Sequence, residues 1–136
     1  MVRVEGWEMR LVAVVENART RPYVLGEHDC LSFACEAVRA LTSVDLWPQY
    51  AGRYTTRREA MVLLARAGES WDAAGSAFFG VPRSPWQQSR RGDICTFYDG
   101  TEFHLGVCIG ADVAVLLDNG LAFVSLGKCL NCWRIG

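Results

Sequence analysis

The chain has 136 residues, enough for one domain with a substantial core, and 51% of them are apolar. A formal net charge of −1 gives no reason to expect nucleic acid or an anionic membrane as the main partner. No apolar run is long enough to cross a bilayer, and Met1 to Glu8 lack the apolar stretch of a signal peptide. We therefore expect a soluble protein made in the cytoplasm, folded as one domain over residues 1–136 and not inserted in a membrane.

Apolar residues recur at helical spacing in the first 80 residues. The predicted helices cover roughly residues 5–20, 29–41, 57–67 and 69–79. Arg21-Pro22 ends the first helix, because a residue before proline is pushed out of the helical region. The second is apolar on nearly all sides, as expected for a helix buried against a sheet. A Thr56-x-x-Glu59 capping box precedes the third, and Gly68 is its expected stop.

The pattern changes to strands from Asp93 onward. Alternating β-rich segments predict strands over roughly residues 94–98, 103–109, 113–117, 121–126 and 132–135. Asp99-Gly100 and Asn119-Gly120 are typical hairpin turns. The polar, proline-containing segment 82–92 is predicted to be an exposed loop. Helices followed by consecutive strands indicate an α+β fold with an antiparallel sheet.

Cys30 stands at a predicted helix start, directly after Asp29. Asp29 is a good N-cap, because its carboxylate can accept a hydrogen bond from a backbone N–H two or three residues further on. The unpaired N–H groups and positive dipole end of the helix favour an anion, so the sequence predicts a lowered pKa and a nucleophilic thiol at Cys30. The alternative is that Cys30 is a small core residue.

His104 opens the predicted strand His104-Leu105-Gly106-Val107-Cys108. Alternation places His104, Gly106 and Cys108 on one face, and we expect Gly106 to let a helix approach that face closely. A cysteine at a helix N-terminus beside a histidine at a strand start is the arrangement of papain-like hydrolases. The other histidine, His28, is two residues from Cys30 and is expected to be structural or at the rim of the cleft.

The motifs together resemble those of the NlpC-type cell-wall cysteine peptidases. The matching segments are Tyr23-x-x-Gly26, Asp29-Cys30-x-x-Phe33, Gly92-Asp93-Ile94 and His104-Leu105-Gly106-Val107. A compact branch encoded in phage tail and gene-transfer-agent operons is closer still, through Ala51-Gly52-Arg53-Tyr54-Thr55-Thr56, Ala67-Gly68, Gly120-Leu121-Ala122 and Trp133-Arg134. The resemblance implies a papain-like fold, with helices packed on a five- or six-stranded antiparallel sheet.

The resemblance also implies a role for each matching residue. Cys30 would be the nucleophile, with its backbone N–H helping to hold the oxyanion, and His104 would be the general base. Tyr23 and Asp29 would border the substrate. The family places a third polar residue on the strand after the histidine strand, where Leu117 is expected opposite His104. Asp118 or Asn119 would orient the imidazole after a small register shift, and we assign Asp118.

The implied function is a phage tail-tip protein that hydrolyses peptidoglycan peptide bonds during DNA entry. It would be assembled in the host cytoplasm and carried in the virion. The alternative is a catalytically silent tail component that docks on hub and distal tail proteins. A departure from the family motif favours it, because the usual Asp-Cys-Ser-Gly is replaced here by Asp29-Cys30-Leu31-Ser32. The aromatic and Arg-rich segments 47–58 and 83–91 are predicted to form the docking surface.

Cys129-Leu130-Asn131-Cys132 has the spacing of half a metal site, half an iron–sulfur site, or a redox pair. No second half is visible as a motif. Cys35, Cys95 and Cys108 stand singly in apolar segments and are expected to pack in the core. The sequence therefore predicts neither a cofactor nor a metal site within this chain. A further alternative is a structural tail component that binds a metal or iron–sulfur cluster through Cys129 and Cys132, with the missing ligands supplied by a neighbouring tail protein.

Overall fold

The computed structural model describes residues 1–66 and 71–136, which form four α-helices and one six-stranded antiparallel sheet. The helices are α1 (Trp7–Thr20), α2 (Cys30–Thr42), α3 (Arg57–Ala65) and α4 (Trp71–Phe79). The strands are β1 (Arg83–Ser84), β2 (Ile94–Tyr98), β3 (Phe103–Cys108), β4 (Asp112–Leu117), β5 (Gly120–Ser125) and β6 (Asn131–Trp133). The predicted α+β class is confirmed, and the predicted stop of the third helix at Gly68 lies outside the described residues. No helix in these ranges combines the length and hydropathy needed to cross a membrane.

The sheet has the strand order β1-β6-β2-β3-β4-β5. Strands β2 to β5 follow one another through hairpins, and β6 returns to pair with the free side of β2. Ser84 of β1 lies opposite Cys132 of β6, so the prediction that the whole of 82–92 is a loop was wrong at these residues. A two-residue strand is held only by its backbone partner and leaves no periodic pattern in the sequence.

Helix α2 lies at the centre of the main core. Its residues are apolar on nearly all sides because one side packs on the sheet and another on α1. Leu105 and Val107 of β3 contribute to the same core from the sheet. Other fully or almost fully buried members are Leu11, Phe33, Ala34, Ala37, Val38, Leu41, Ile94, Leu116, Trp133 and Ile135.

A smaller buried cluster occupies the other face of the sheet. Its buried members are Cys95, Cys108, Val113, Val115, Cys129 and Cys132. Gly106 faces this cluster, because a Cβ built on it would lie 2.5 Å from Val113 Cγ1 and 2.9 Å from Val115 Cγ2. The expectation that Gly106 admits a helix was therefore wrong: the glycine makes room for valines of the neighbouring strand.

Asp93 joins the two chain ends to the start of β2. Its buried carboxylate accepts hydrogen bonds from the backbone N–H of Ile135 at 3.0 Å and of Arg90 at 2.8 Å. The Arg3 guanidinium pairs with the same carboxylate at 3.1 Å and donates to the Ile135 carbonyl at 2.7 Å. A buried carboxylate is stable only with such donors, so this network holds β2 and the residues after β6 in position.

We expect Gly106→Ala to lower the free energy of unfolding by about 1–3 kcal/mol, because the added methyl group overpacks the space between Val113 and Val115. Urea unfolding measures the change. Gly127→Ala is the matched control, since the nearest atom to a Cβ there is 3.7 Å away on Trp86. Equal effects of the two substitutions would contradict this account of Gly106.

Candidate functional site

Asp29 organises the segment that leads into α2. Its Oδ1 accepts a hydrogen bond from the Ser32 N–H at 2.9 Å, and Ser32 Oγ accepts one from the Asp29 N–H at 2.9 Å, which confirms the predicted N-cap. Its Oδ2 accepts hydrogen bonds from the Gly26 N–H at 2.8 Å and from the Tyr54 hydroxyl. Both oxygens are thus used within the protein and the residue is 2% exposed. We therefore assign Asp29 a positioning role, and because it also borders the cavity, the substrate contact expected from the sequence stays a prediction.

Gly26 shows why the loop before α2 needs a glycine. Its φ is +85°, a left-handed conformation that residues with a side chain rarely adopt, and a Cβ there would lie 3.3 Å from the Tyr54 carbonyl oxygen. The glycine lets the loop fold back so that its N–H reaches the Asp29 carboxylate. The Tyr23-x-x-Gly26 segment is therefore shaped by the same carboxylate that caps α2.

Cys30 is the first residue of α2, and its side chain is only partly exposed. Burial raises the pKa of the Cys30 thiol to about 11, although a hydrogen bond from the backbone N–H of Leu105 opposes the rise. A helix N-terminus contributes only about 0.3–1 kcal/mol to an adjacent charge, less than the roughly 1.4 kcal/mol of one pKa unit. Removing a thiolate from water costs more. The predicted lowering of this pKa was therefore wrong, and the resting thiol is protonated at neutral pH.

His104 is held by Asp99, the residue that closes the preceding strand. The ring nitrogen Nε2 lies 2.8 Å from Asp99 Oδ2, while Asp99 Oδ1 accepts from the N–H groups of Thr101 at 2.8 Å and Glu102 at 2.9 Å. The hydrogen bonds from Glu102, His104 and Thr101 lower the pKa of Asp99 to about 2. An ionised carboxylate can only accept, so Nε2 carries the proton and, in a neutral ring, Nδ1 is the free base.

Asp118 does not contact His104. Its carboxylate is 66% exposed and lies 3.0 Å from the guanidinium of Arg57, which also pairs with Glu102 at 2.6 Å. The register Gly106↔Val115 places Leu117 level with His104, as the sequence predicted, and no register shift brings Asp118 closer. The assignment of Asp118 as the orienting residue was wrong, and Asp99 occupies that position.

Sequence reasoning missed Asp99 because the Asp99-Gly100 pair was interpreted only as a turn. The hairpin register places Phe97 opposite His104, so a residue two positions after Phe97 lies close to the imidazole. The sequence does contain a signal for Asp99. An aspartate in the turn of a hairpin lies close to a histidine near the start of the second strand.

One cavity of about 410 Å³ brings the predicted residues together. Cys30, His104 and Tyr23 line it, and Asp99 and Arg57 lie on its wall. The Arg57 guanidinium lies 5.9 Å from the centre of the Tyr23 ring, so α3 covers one side of the cavity. The site thus combines a thiol, an oriented imidazole and a rim of charged side chains.

The thiol and the imidazole approach β3 from different sides. Cys30 comes from the side of Leu105, where α2 packs, whereas His104 stacks over Phe97 with a ring-centre distance of 6.5 Å. Among the described residues no hydrogen bond joins the Cys30 thiol to the His104 ring. Direct proton transfer therefore needs a rotation of the ring or one bridging water, and catalytic hydrogen bonds often tighten only when substrate is bound.

The first turn of α2 offers donors for an oxyanion. The Ser32 N–H is used by the Asp29 side chain and the Phe33 N–H by the Asp29 carbonyl. No acceptor for the N–H groups of Cys30 and Leu31 occurs among the hydrogen bonds of the described residues. Both donors lie at the positive end of the helix, where a developing negative charge is stabilised.

Three ligand atoms in this site are close enough to share a metal ion. They belong to Asp99, Glu102 and His104 and all lie within 4.8 Å of one another. The His104–Asp99 hydrogen bond and the Glu102–Arg57 ion pair already use these groups. A bound cation would have to displace both interactions, so the arrangement suits an oriented imidazole better than a metal centre.

His28 has the structural position expected for it. It is 2% exposed, and its Nδ1 lies 3.0 Å from the Pro22 carbonyl oxygen. Its Nε2 is buried and makes no hydrogen bond among the described residues. The ring therefore supports the loop before α2, and it is not part of the cavity wall.

Most residues of the predicted docking segments 47–58 and 83–91 are exposed, but some of their side chains pack inside the protein or against the cavity. Tyr54 is 3% exposed, Tyr50 packs on Phe78 with ring centres 4.7 Å apart, and Arg57 belongs to the cavity. Trp86, at 39% exposed, remains available. The prediction that Tyr54 faces a partner was wrong, because Tyr54 is buried, whereas the docking role of the exposed residues of these segments stays a prediction.

We expect iodoacetamide to modify Cys30 first, because the other five cysteines are buried. With a pKa of about 11, the labelling rate should rise about tenfold per pH unit from pH 7 to 10, as the thiolate fraction rises. Mass spectrometry of quenched samples gives the rate, and Cys30→Ser is the control. A rate that stays constant from pH 6 to 9 would indicate a preformed thiolate and contradict the raised pKa.

Comparison with known protein families identifies the family of this chain. The chain matches DUF6950, described as a domain of unknown function, over residues 2–135. No curated protein matches the chain. The matched region contains Cys30, Asp99 and His104, together with all six strands of the sheet. Because the match covers almost the whole chain, the protein belongs to the DUF6950 family.

Proposed function

We propose that the protein is a cysteine peptidase with an NlpC-like, papain-like fold that hydrolyses peptide bonds of peptidoglycan. The observation that carries the proposal is a single cavity with the Cys30 thiol at a helix N-terminus and His104 held by an ionised Asp99. Each group has a role in acyl transfer that depends on its position and not on its residue type alone.

The reaction begins with a neutral thiol, because burial holds the proton on Cys30. His104 Nδ1 takes this proton, directly or through one water, as the sulfur attacks the peptide carbonyl carbon. The N–H groups of Cys30 and Leu31 stabilise the oxyanion of the tetrahedral intermediate. The imidazolium then protonates the leaving amine, and a water activated by His104 hydrolyses the acyl-enzyme to release Cys30.

Asp99 contributes by holding the ring in one tautomer and by stabilising the imidazolium formed in the first step. Its carboxylate has a lowered pKa of about 2, so it stays charged at any pH above about 3. The stabilisation it gives the folded state is present above the ordinary carboxyl pKa and is lost as the pH falls toward 2.

The proposed setting is a phage or gene-transfer-agent tail tip, where hub and distal tail proteins would carry the enzyme to the wall. The support is the resemblance of the motifs around Cys30 and His104 to the tail-encoded branch of NlpC-type peptidases. Trp86 is exposed next to the arginines of segment 83–91, a composition suited to such docking.

A second candidate is a catalytically silent tail component with the same fold. Two observations favour it: the Cys30 thiol is protonated at rest, and no hydrogen bond joins it to His104 in the described part of the chain. In this case the cavity would be a remnant of the peptidase site, and docking would be the retained function.

Cys30→Ala should reduce the release of peptides from purified muropeptides by at least about 10³-fold, because the nucleophile is lost. Liquid chromatography with mass spectrometry identifies the products. Cys35→Ala, a buried cysteine of the same helix outside the cavity, is the control. A wild-type protein without detectable hydrolysis of any muropeptide would favour the silent tail component.

Asp99→Asn should lower the hydrolysis rate by about 10²–10⁴-fold, because an amide can present its NH₂ to Nε2 and so favour the wrong tautomer. Asp118→Asn should change the rate by less than about threefold, since the Asp118 carboxylate pairs with the exposed Arg57 and makes no hydrogen bond to His104 among the described residues. Both substitutions replace a carboxylate with an amide, so the comparison distinguishes the roles of the two residues. If Asp118→Asn were the more harmful, the assignment of Asp99 would be wrong.

Replacing both Trp86 and Arg91 with alanine should leave a folded protein that fails to enter tails, whereas Cys30→Ala should assemble normally. Particle composition measured by mass spectrometry gives the incorporated fraction. The difference is expected because Trp86 is exposed while Cys30 lies in the cavity. The opposite result would argue against both the docking surface and the enzymatic role of Cys30.

A further inference from the structure

Four of the six cysteines meet on the sheet face away from α2, although they are spread from residue 95 to residue 132. Cys95 of β2 lies directly opposite Cys132 of β6 in the strand register. Cys129 begins the turn into β6, and Cys108 lies on β3 at the border of the same cluster. All four are free and buried. The neighbouring strand thus places a third cysteine, Cys95, beside the Cys129-x-x-Cys132 pair.

We propose that Cys95, Cys129 and Cys132 bind one Zn²⁺ ion as thiolates. Thiolate sulfur is a preferred zinc ligand, and a Cys-x-x-Cys turn next to a further cysteine on an adjacent strand is a common source of such ligands. Zinc binding replaces three S–H bonds with three Zn–S bonds and releases three protons to solvent. The metal would tie β6 to β2, on the face of the sheet away from α2.

The local chemistry of the cluster supports ligand formation. The Cys95 thiol is close enough to interact with both Cys129 and Cys132. Ser89 Oγ is buried beside the Cys132 sulfur but makes no hydrogen bond of good geometry in the described structure. A buried hydroxyl without a partner is unusual in an apolar cluster and fits a polar group at the fourth position.

The sulfur atoms have to move closer to form the centre. Zn–S bonds of about 2.3 Å in a tetrahedron place the sulfurs about 3.8 Å apart. Among the described residues, only Asp99, Glu102 and His104 have ligand atoms mutually within 4.8 Å, so at least one pair of the three cysteine sulfurs is farther apart than this. The Leu130 and Asn131 N–H groups tie the backbone of this turn to Thr96 of β2, so the sulfurs have to approach through rotation of the cysteine side chains.

The full chain, purified under reducing and anaerobic conditions with Zn²⁺, should contain about one zinc per molecule by elemental analysis. Replacement with Co²⁺ should produce sulfur-to-cobalt charge-transfer absorption and tetrahedral ligand-field bands. Zinc at about 100 times its dissociation constant should raise Tm by roughly 10 °C. None of these measurements depends on peptidase activity.

Cys132→Ser and Cys95→Ser should each lose stoichiometric zinc and the cobalt charge-transfer band, whereas Cys35→Ser, equally buried in the main core, should retain both. Circular dichroism of each variant shows whether it is folded. The cobalt spectrum of the wild-type protein tests the proposal even if a variant fails to fold. Wild-type protein that takes up neither metal would overturn the proposal. So would iron with acid-labile sulfide, or a disulfide between Cys95 and either partner in the protein as purified.

Discussion

The buried Asp29 carboxylate determines where the reactive thiol lies. It accepts hydrogen bonds from the Gly26 N–H, the Ser32 N–H and the Tyr54 hydroxyl, so it joins the loop before α2, the first turn of α2 and the segment before α3. A buried charge without such partners would cost several kcal/mol, which means that the three donors are held in place together. Cys30 follows directly in the chain, and its position in the cavity is a consequence of this network.

Two titratable groups of the site have opposite environments. Cys30 is enclosed between α2 and β3, and burial raises the pKa of its thiol to about 11. Asp99 stands on an exposed turn and accepts hydrogen bonds from Glu102, His104 and Thr101, which lower its pKa to about 2. In the proposed mechanism, a neutral thiol and a charged carboxylate correspond to general-base catalysis, in which the proton leaves the thiol only as the reaction proceeds.

The sheet separates two kinds of chemistry because its side chains alternate between faces. On the side of α2, Leu105 and Val107 form the main core and hold the helix that carries Cys30. On the other side, Cys95, Cys129 and Cys132 belong to a smaller apolar cluster with Val113 and Val115. Gly106 makes the second face possible by admitting Val113 and Val115 into the space its side chain would fill.

The sequence by itself determined the helices, the hairpins and the order of the strands from β2 to β5, because these depend on local periodicity, turn residues and caps such as Asp29. It also identified Cys30 and His104, which the fold places on one cavity. Only the tertiary structure decided that Asp99 and not Asp118 holds His104, that the Cys30 pKa rises, and that Cys95 meets Cys129 and Cys132. Each of these depends on burial, or on the return of β6 to β2, and such contacts between distant segments leave no local pattern in a single chain.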